Sequence, residues 1–228
     1  MPAPAAPIMK AQTIAAYGQQ LGPEAIEYLD ALFAKIESAW TQWQNSMSWG
    51  TLTLTGGGVG AWAGSGMGGV LVGSPLIVQP FSFKGNSPQQ LKFTKAICDA
   101  IASKFTPFPT AFKFTVVSYT GASGATPIAP GPVQAMSVPA PLMSAGSGVN
   151  PSGIAQVAKS MLTAPDFQLT SPQAKSGQLV DAIGSTIEQL FQTVWLATTM
   201  ASANSFQGTG APGGVVAGFP SVSDGKLV

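Results

Sequence analysis

Apolar residues recur in steps of three and four along three stretches of the chain, and each stretch predicts a helix with one buried stripe. The first covers residues 23–47 and places Ile26, Leu29, Leu32, Phe33, Ile36, Trp40, Trp43 and Met47 on its stripe. Gly22-Pro23-Glu24 opens it, because Pro at the first helical position gives up an N–H that would find no partner there. Glu24, Glu27, Asp30, Lys35 and Glu37 lie beside or opposite the stripe, and acids in the first turns suit the helix dipole. The second opens at Ser87-Pro88-Gln89-Gln90, where Ser87 can cap and Gln90 can complete a capping box. Its stripe is Leu91, Ile97, Ile101 and Phe105, and Pro107 and Pro109 stop it. The third covers residues 171–200, opens with Ser171-Pro172-Gln173, and carries Leu179, Val180, Ile183, Ile187, Leu190, Phe191, Val194 and Trp195. Shorter helices are predicted over 9–19, ended by Gly22, and over 151–161, preceded by Asn150.

After each long helix the period changes. Trp49, Thr51 and Thr53 alternate with Gly50, Leu52 and Leu54, and Phe112, Phe114 and Val116 share one face. Stretches 49–55, 70–83 and 112–119 therefore read as strands, punctuated by Gly and Pro. The expected fold class is α+β, built from three imperfect units of helix plus glycine-rich strands behind an extended N-terminal arm. Residues 1–21 form the arm and a short helix, 22–86 the first unit, 87–149 the second, and 150–228 the third with a polar C-terminal tail.

Two signals support a repeat. Gly68-Gly69-Val70-Leu71-Val72-Gly73-Ser74-Pro75 and Gly213-Gly214-Val215-Val216-Ala217-Gly218-Phe219-Pro220 share the pattern G-G-V-[LV]-[VA]-G-x-P. Asp30-Ala31-Leu32, Asp99-Ala100-Ile101 and Asp181-Ala182-Ile183 lead at equal spacing to Ile36, Phe105 and Ile187, and further on to Trp43, Phe112 and Val194. If the units are real, Asp30, Asp99 and Asp181 occupy matching positions, and Gly69 and Gly214 share a backbone geometry that only glycine accepts easily.

Composition narrows the chemistry. The chain of 228 residues is long enough to bury a core, yet only 8% of it is charged, against about 25% in ordinary soluble proteins. All ten basic residues are Lys; with no Arg and no His, the formal charge is +1. Base reading by Arg forks and tight phosphate binding lose their usual residues. The single Cys98 excludes an intrachain disulfide, and without His or clustered Cys most zinc and copper sites are excluded too. No general base is available near neutral pH from His. The reading is therefore no enzyme, with no catalytic, cofactor-binding or metal residue assigned. Met1-Pro2-Ala3-Pro4-Ala5-Ala6-Pro7 lacks the basic and apolar regions of a secretory signal and suggests an extended segment.

Charges gather in the helices, leaving none between Glu37 and Lys84, between Lys113 and Lys159, or between Glu188 and Asp224. Residues 57–78 are uncharged and long enough to span a bilayer, but Gly, Ser and Pro75 dilute the apolar content that a spanning helix needs. Such neutral tracts suit burial between subunits.

Several motifs reduce to bland readings. Gly64-x-Gly66-x-x-Gly69 and Gly208-x-Gly210-x-x-Gly213 fit the dinucleotide fingerprint, but each is followed by a β-branched run and then proline (Pro75, Pro220), where the fingerprint needs a helix. Ser223-x-x-Lys226 has nucleophile-pair spacing in a solvated tail. Trp40, Trp43, Trp49, Trp62 and Trp195 suit core or interface packing better than ligand stacking. Lys84, Lys92, Lys95, Lys104 and Lys113, with Asp99 as the one acid among them, read as a solvated basic face.

The tracts 208–220 and 64–75, and more loosely 124–133, give the order G-x-G…P-G-G-V-V-x-G. This style resembles structural proteins of tailed-bacteriophage virions and of contractile tail-like injection particles. The resemblance implies a virion or phage-tail-like particle component made in the bacterial cytoplasm, with copies of itself and neighbouring structural proteins as partners. The expected function is a non-enzymatic structural subunit of a large homo- or hetero-oligomeric assembly. The alternative from another class is a membrane-active protein that inserts glycine-rich hairpins.

Overall fold

The computed structural model describes residues 3–50, 53–57, 61–67, 70–81, 83, 88–111, 117–123, 131–137, 140–141, 152–162, 174–195, 200–202, 206–210 and 226–227, with side chains described over 3–47, 73–81, 83, 88, 90–109, 152–162 and 177–195. Six helices are described: α1 (Ala6–Tyr17), α2 (Pro23–Ser46), α3 (Pro88–Phe105), α4 (Phe108–Ala111), α5 (Ile154–Ser160) and α6 (Ala174–Gln189), the last running into a π-helical turn at Leu190–Trp195.

The part whose side chains are described is 76% helix and holds no strand or sheet. The expected α+β fold of helix-plus-strand units is thereby corrected to a helical one. The physical reason lies in the stripes, which bury against one another and against the short helices and supply most of the described core, with Leu76 and Val78 added from the tract over 70–83. Backbone ladders such as Thr53–Gly57 with Ala61–Met67, and Val117–Ser123 with Gly131–Ser137, run through the other glycine-rich tracts. Gly69, Gly214 and Phe112 lie outside the described residues, and so does any comparison of the two G-G-V tracts.

The local signals act largely as the pattern predicts. Pro23 and Pro88 stand first in their helices. α1 ends earlier than Gly22, because Gly18 adopts the left-handed conformation at φ 69° and returns its N–H to the Ile14 carbonyl. Ahead of α1 the chain is packed down rather than free, with Ala3 only 4% exposed. On α2 the residues Leu29, Leu32, Phe33, Ile36, Trp40 and Trp43 are all buried. On α3 Leu91 is exposed, and Phe93 joins Ile97, Ile101 and Phe105 in the core. On the third long helix Val194 is exposed and Trp195 is buried. The π turn accounts for this: its wider winding carries one extra residue, so the inward position slips from Val194 to Trp195.

The three long helices meet at an aromatic junction. Trp40 and Trp43 come from α2, Phe105 from α3, Phe108 from α4, and Phe191 and Trp195 from the π turn. Ring centroids lie 5.3 Å apart for Trp40–Phe105, 5.2 Å for Trp43–Trp195, and 5.0 Å for both Phe105–Phe191 and Phe108–Phe191. These offset and edge-to-face pairs each add about 0.5–1.5 kcal/mol beyond area burial. Trp195 Nε1 donates to Gln44 Oε1 at 2.8 Å. Trp40 Nε1 and Trp43 Nε1 are buried with no acceptor among the described residues, where packing holds the two rings.

Around the junction α1 packs on both α2 and α6, and α5 on both α6 and α3. Thr13 of α1 donates from Oγ1 to Thr186 Oγ1 of α6 at 3.1 Å in a buried setting. Tyr28 of α2 shares a hydrogen bond of 3.1 Å with Thr94 of α3.

Candidate functional site

An open cleft of about 420 Å³ lies between α5 and α6. Two glycines shape it. Gly153 turns the chain into α5 at φ 76°, a left-handed conformation that side chains other than glycine's adopt rarely. Gly184 lets α5 come close, since a Cβ there would stand 2.7 Å from the Ala155 backbone nitrogen.

Lys159, Asp181, Ser185 and Glu188 of the cleft are each engaged. Lys159 Nζ lies 2.5 Å from Asp181 Oδ1. Glu188 Oε1 accepts from the Ile154 backbone N–H at 2.8 Å. Ser185 Oγ donates to the Ala182 carbonyl at 3.1 Å. That hydroxyl thus directs its proton at a backbone carbonyl, not at a base that would activate it. Among the described residues no group of three or more His, Cys, Asp or Glu is placed to hold a metal ion.

The same set recurs on the first hairpin. Lys10 Nζ lies 2.5 Å from Asp30 Oδ1, and Glu37 Oε2 accepts from the Ala6 backbone N–H at 2.8 Å. Asp30 and Glu37 are spaced as Asp181 and Glu188 are, two turns apart on one helix face. An arrangement that holds α1 to α2 as it holds α5 to α6 is a joint between helices, and the cleft is the visible side of one such joint. Asp99 departs from this plan and pairs with Lys95 of its own helix.

The other candidates are dispersed. Trp40, Trp43 and Trp195 are core residues, while the side chains of Trp49 and Trp62 are outside the described set. Of the basic run, Lys95 is tied to Asp99, and Lys84 and Lys113 lie outside the described residues. Ser223, Gly69 and Gly213 also lie outside them. Cys98 is buried, and burial pushes its thiol up to about 12, with Asp99 adding to the rise and Lys95 opposing it. Such a thiol is protonated and unreactive at neutral pH. Burial likewise raises Tyr28 well above the ordinary phenol value, against a smaller opposite effect from its Thr94 hydrogen bond. Glu37 and Glu188 are the residues that sequence reading passed over. The available signal was an Asp followed by a Glu at the same spacing on two long helices, each preceded by a short helix with one Lys.

No protein family, no curated protein and no solved structure matches the chain. Among the described residues no helix is long and apolar enough to cross a membrane.

Proposed function

We propose that the chain is a non-enzymatic structural subunit of a large assembly, a component of a phage virion or phage-tail-like particle. One observation carries this reading: the three long helices end together. Trp43, Phe108 and Trp195, the last aromatics before the chain leaves each helical stretch, lie within 5.2 to 6.0 Å of one another between ring centroids. The helical stretches that precede the three neutral tracts therefore end at one place, while the ion pairs of Lys10, Lys95 and Lys159 sit on the helices. A helical body whose charges lie on its helices, joined to long uncharged tracts, suits a protein that makes its contacts through those tracts.

Multi-angle light scattering and negative-stain microscopy of the full-length chain at micromolar concentration test the reading. The expected result is a multi-copy particle or tube, or association with a neighbouring structural protein from the same source. A monodisperse monomer that joins no assembly overturns it. Solubility that depends on detergent, together with leakage of vesicles, would instead favour insertion into lipid.

A further inference from the structure

The three units share a chain order in which a short element precedes a long helix: α1 before α2, the 73–83 segment before α3, and α5 before α6. Each of the two short helices bridges two long ones. α1 spans α2 and α6, and α5 spans α6 and α3. The segment before α3 packs on Tyr28 of α2, where Phe81 stacks at 6.0 Å and Phe83 packs edge-on at 5.8 Å, and the same Tyr28 ring meets Phe93 of α3 edge-on. Two of these elements are helices. The third is extended, with Leu76 and Val78 buried and Ile77 between them exposed, the alternation of a strap laid over a groove.

One position separates the two kinds of element. Seven residues after the shared aspartate stand Glu37 on α2 and Glu188 on α6, but Thr106 after α3. The two glutamates take the leading N–H of α1 and α5. Those N–H groups have no intrahelical partner, and neither N-cap residue, Ala5 or Gly153, offers a side-chain cap. A carboxylate from the neighbouring helix meets that need and also suits the positive end of a helix. Thr106 instead turns its hydroxyl onto the Ala102 carbonyl, and Asp99 is already held by Lys95.

We infer that Glu37 and Glu188 are docking residues, each binding the start of a short lysine-bearing helix and so selecting a helix for its groove. The unit without such a glutamate seats an extended strap. This inference is independent of the assembly reading, since it concerns contacts within one chain.

Hydrogen exchange with mass spectrometry on the full-length protein tests it. E188A is expected to speed exchange over 154–160 by about tenfold, the scale of one hydrogen bond to a charged group, with α1 unchanged; E37A does the reverse. D30N and D181N, which remove only exposed ion pairs, change either segment far less. Ala6→Pro gives a test of sign and does not require the alanine variants to fold. Ala5 has the extended backbone that a following proline accepts, at φ −68° and ψ 140°. Proline is also favoured at a helix start, so without the Glu37 bond A6P would leave α1 exchange unchanged or slower. With Glu37 as docking residue, A6P removes the donor and loosens α1. Unchanged or slower exchange in α1 of A6P overturns the inference, and so does equal acceleration of all helices in both alanine variants.

Discussion

Asp30 and Asp181 each hold a lysine from a different helix, whereas Asp99 holds Lys95 one turn back on its own helix. The three share the sequence Asp-Ala followed by a buried Leu or Ile, and Leu32, Ile101 and Ile183 are all in the core. The inward face of the motif is thus common to the three units, while its outward face is used in two different ways. The difference teaches that a matched core position does not bring a matched surface role. In the first and third units the aspartate joins two helices; in the middle unit it supports one.

The largest expected effect comes from the feature that all three units share. Trp43→Ala opens a cavity at the junction and costs about 3–5 kcal/mol, and chemical denaturation followed by circular dichroism will show one cooperative loss of all helices. Separate transitions for the two hairpins would break the comparison, because the units would then be independent. Gly184→Ala sharpens it. Three residues after its aspartate, α6 has Gly184 where α2 has a fully buried Phe33. A methyl there must displace the Ala155 backbone, for about 1–3 kcal/mol by thermal melting, with the loss concentrated in α5.

Alkaline pH acts where α2 meets α3. Cys98 has a folded value raised to about 12, and Tyr28 is raised as well. The folded state thus keeps protons that the unfolded chain has released. Their stabilisation is complete below the unfolded values and declines as pH rises through the folded ones, by about 1.4 kcal/mol per pH unit for each group within the window. Urea midpoints measured from pH 8 upward should fall, and C98A should flatten part of that fall. The smallest effects belong to the exposed ion pairs: D30N, D99N and D181N each cost under about 1 kcal/mol in urea unfolding. A larger loss for D99N than for the other two would reverse the assignment of tertiary and local roles.

Helix starts were legible in the sequence because Pro23 and Pro88 act locally, and the stripes because period alone fixes which residues face inward. Less legible were features that depend on a neighbour. The π turn leaves no mark in composition, so the stripe was read through both Val194 and Trp195, of which only Trp195 is buried. Glu37 and Glu188 read as ordinary surface acids until the ends of α1 and α5 are set beside them. The alternating tracts carried a strand signal, but period says nothing about whether a segment joins the core. The described core is closed by helices and by one strap, hence the correction from α+β to helical.

The aromatic junction also makes the protein its own optical gauge. Trp195 lies 6.2 Å from Trp40 and 5.2 Å from Trp43 between ring centroids, near enough for excitation to pass between indoles before emission. One of them, Trp195, has its N–H fixed on Gln44, and all three are shielded from water. Their emission is therefore blue-shifted and coupled, and it reports on the place where the three long helices converge. Parting any one helix from the other two would redden the spectrum and restore its anisotropy, so a change in how the neutral tracts pull on their common root would be visible as colour without a label.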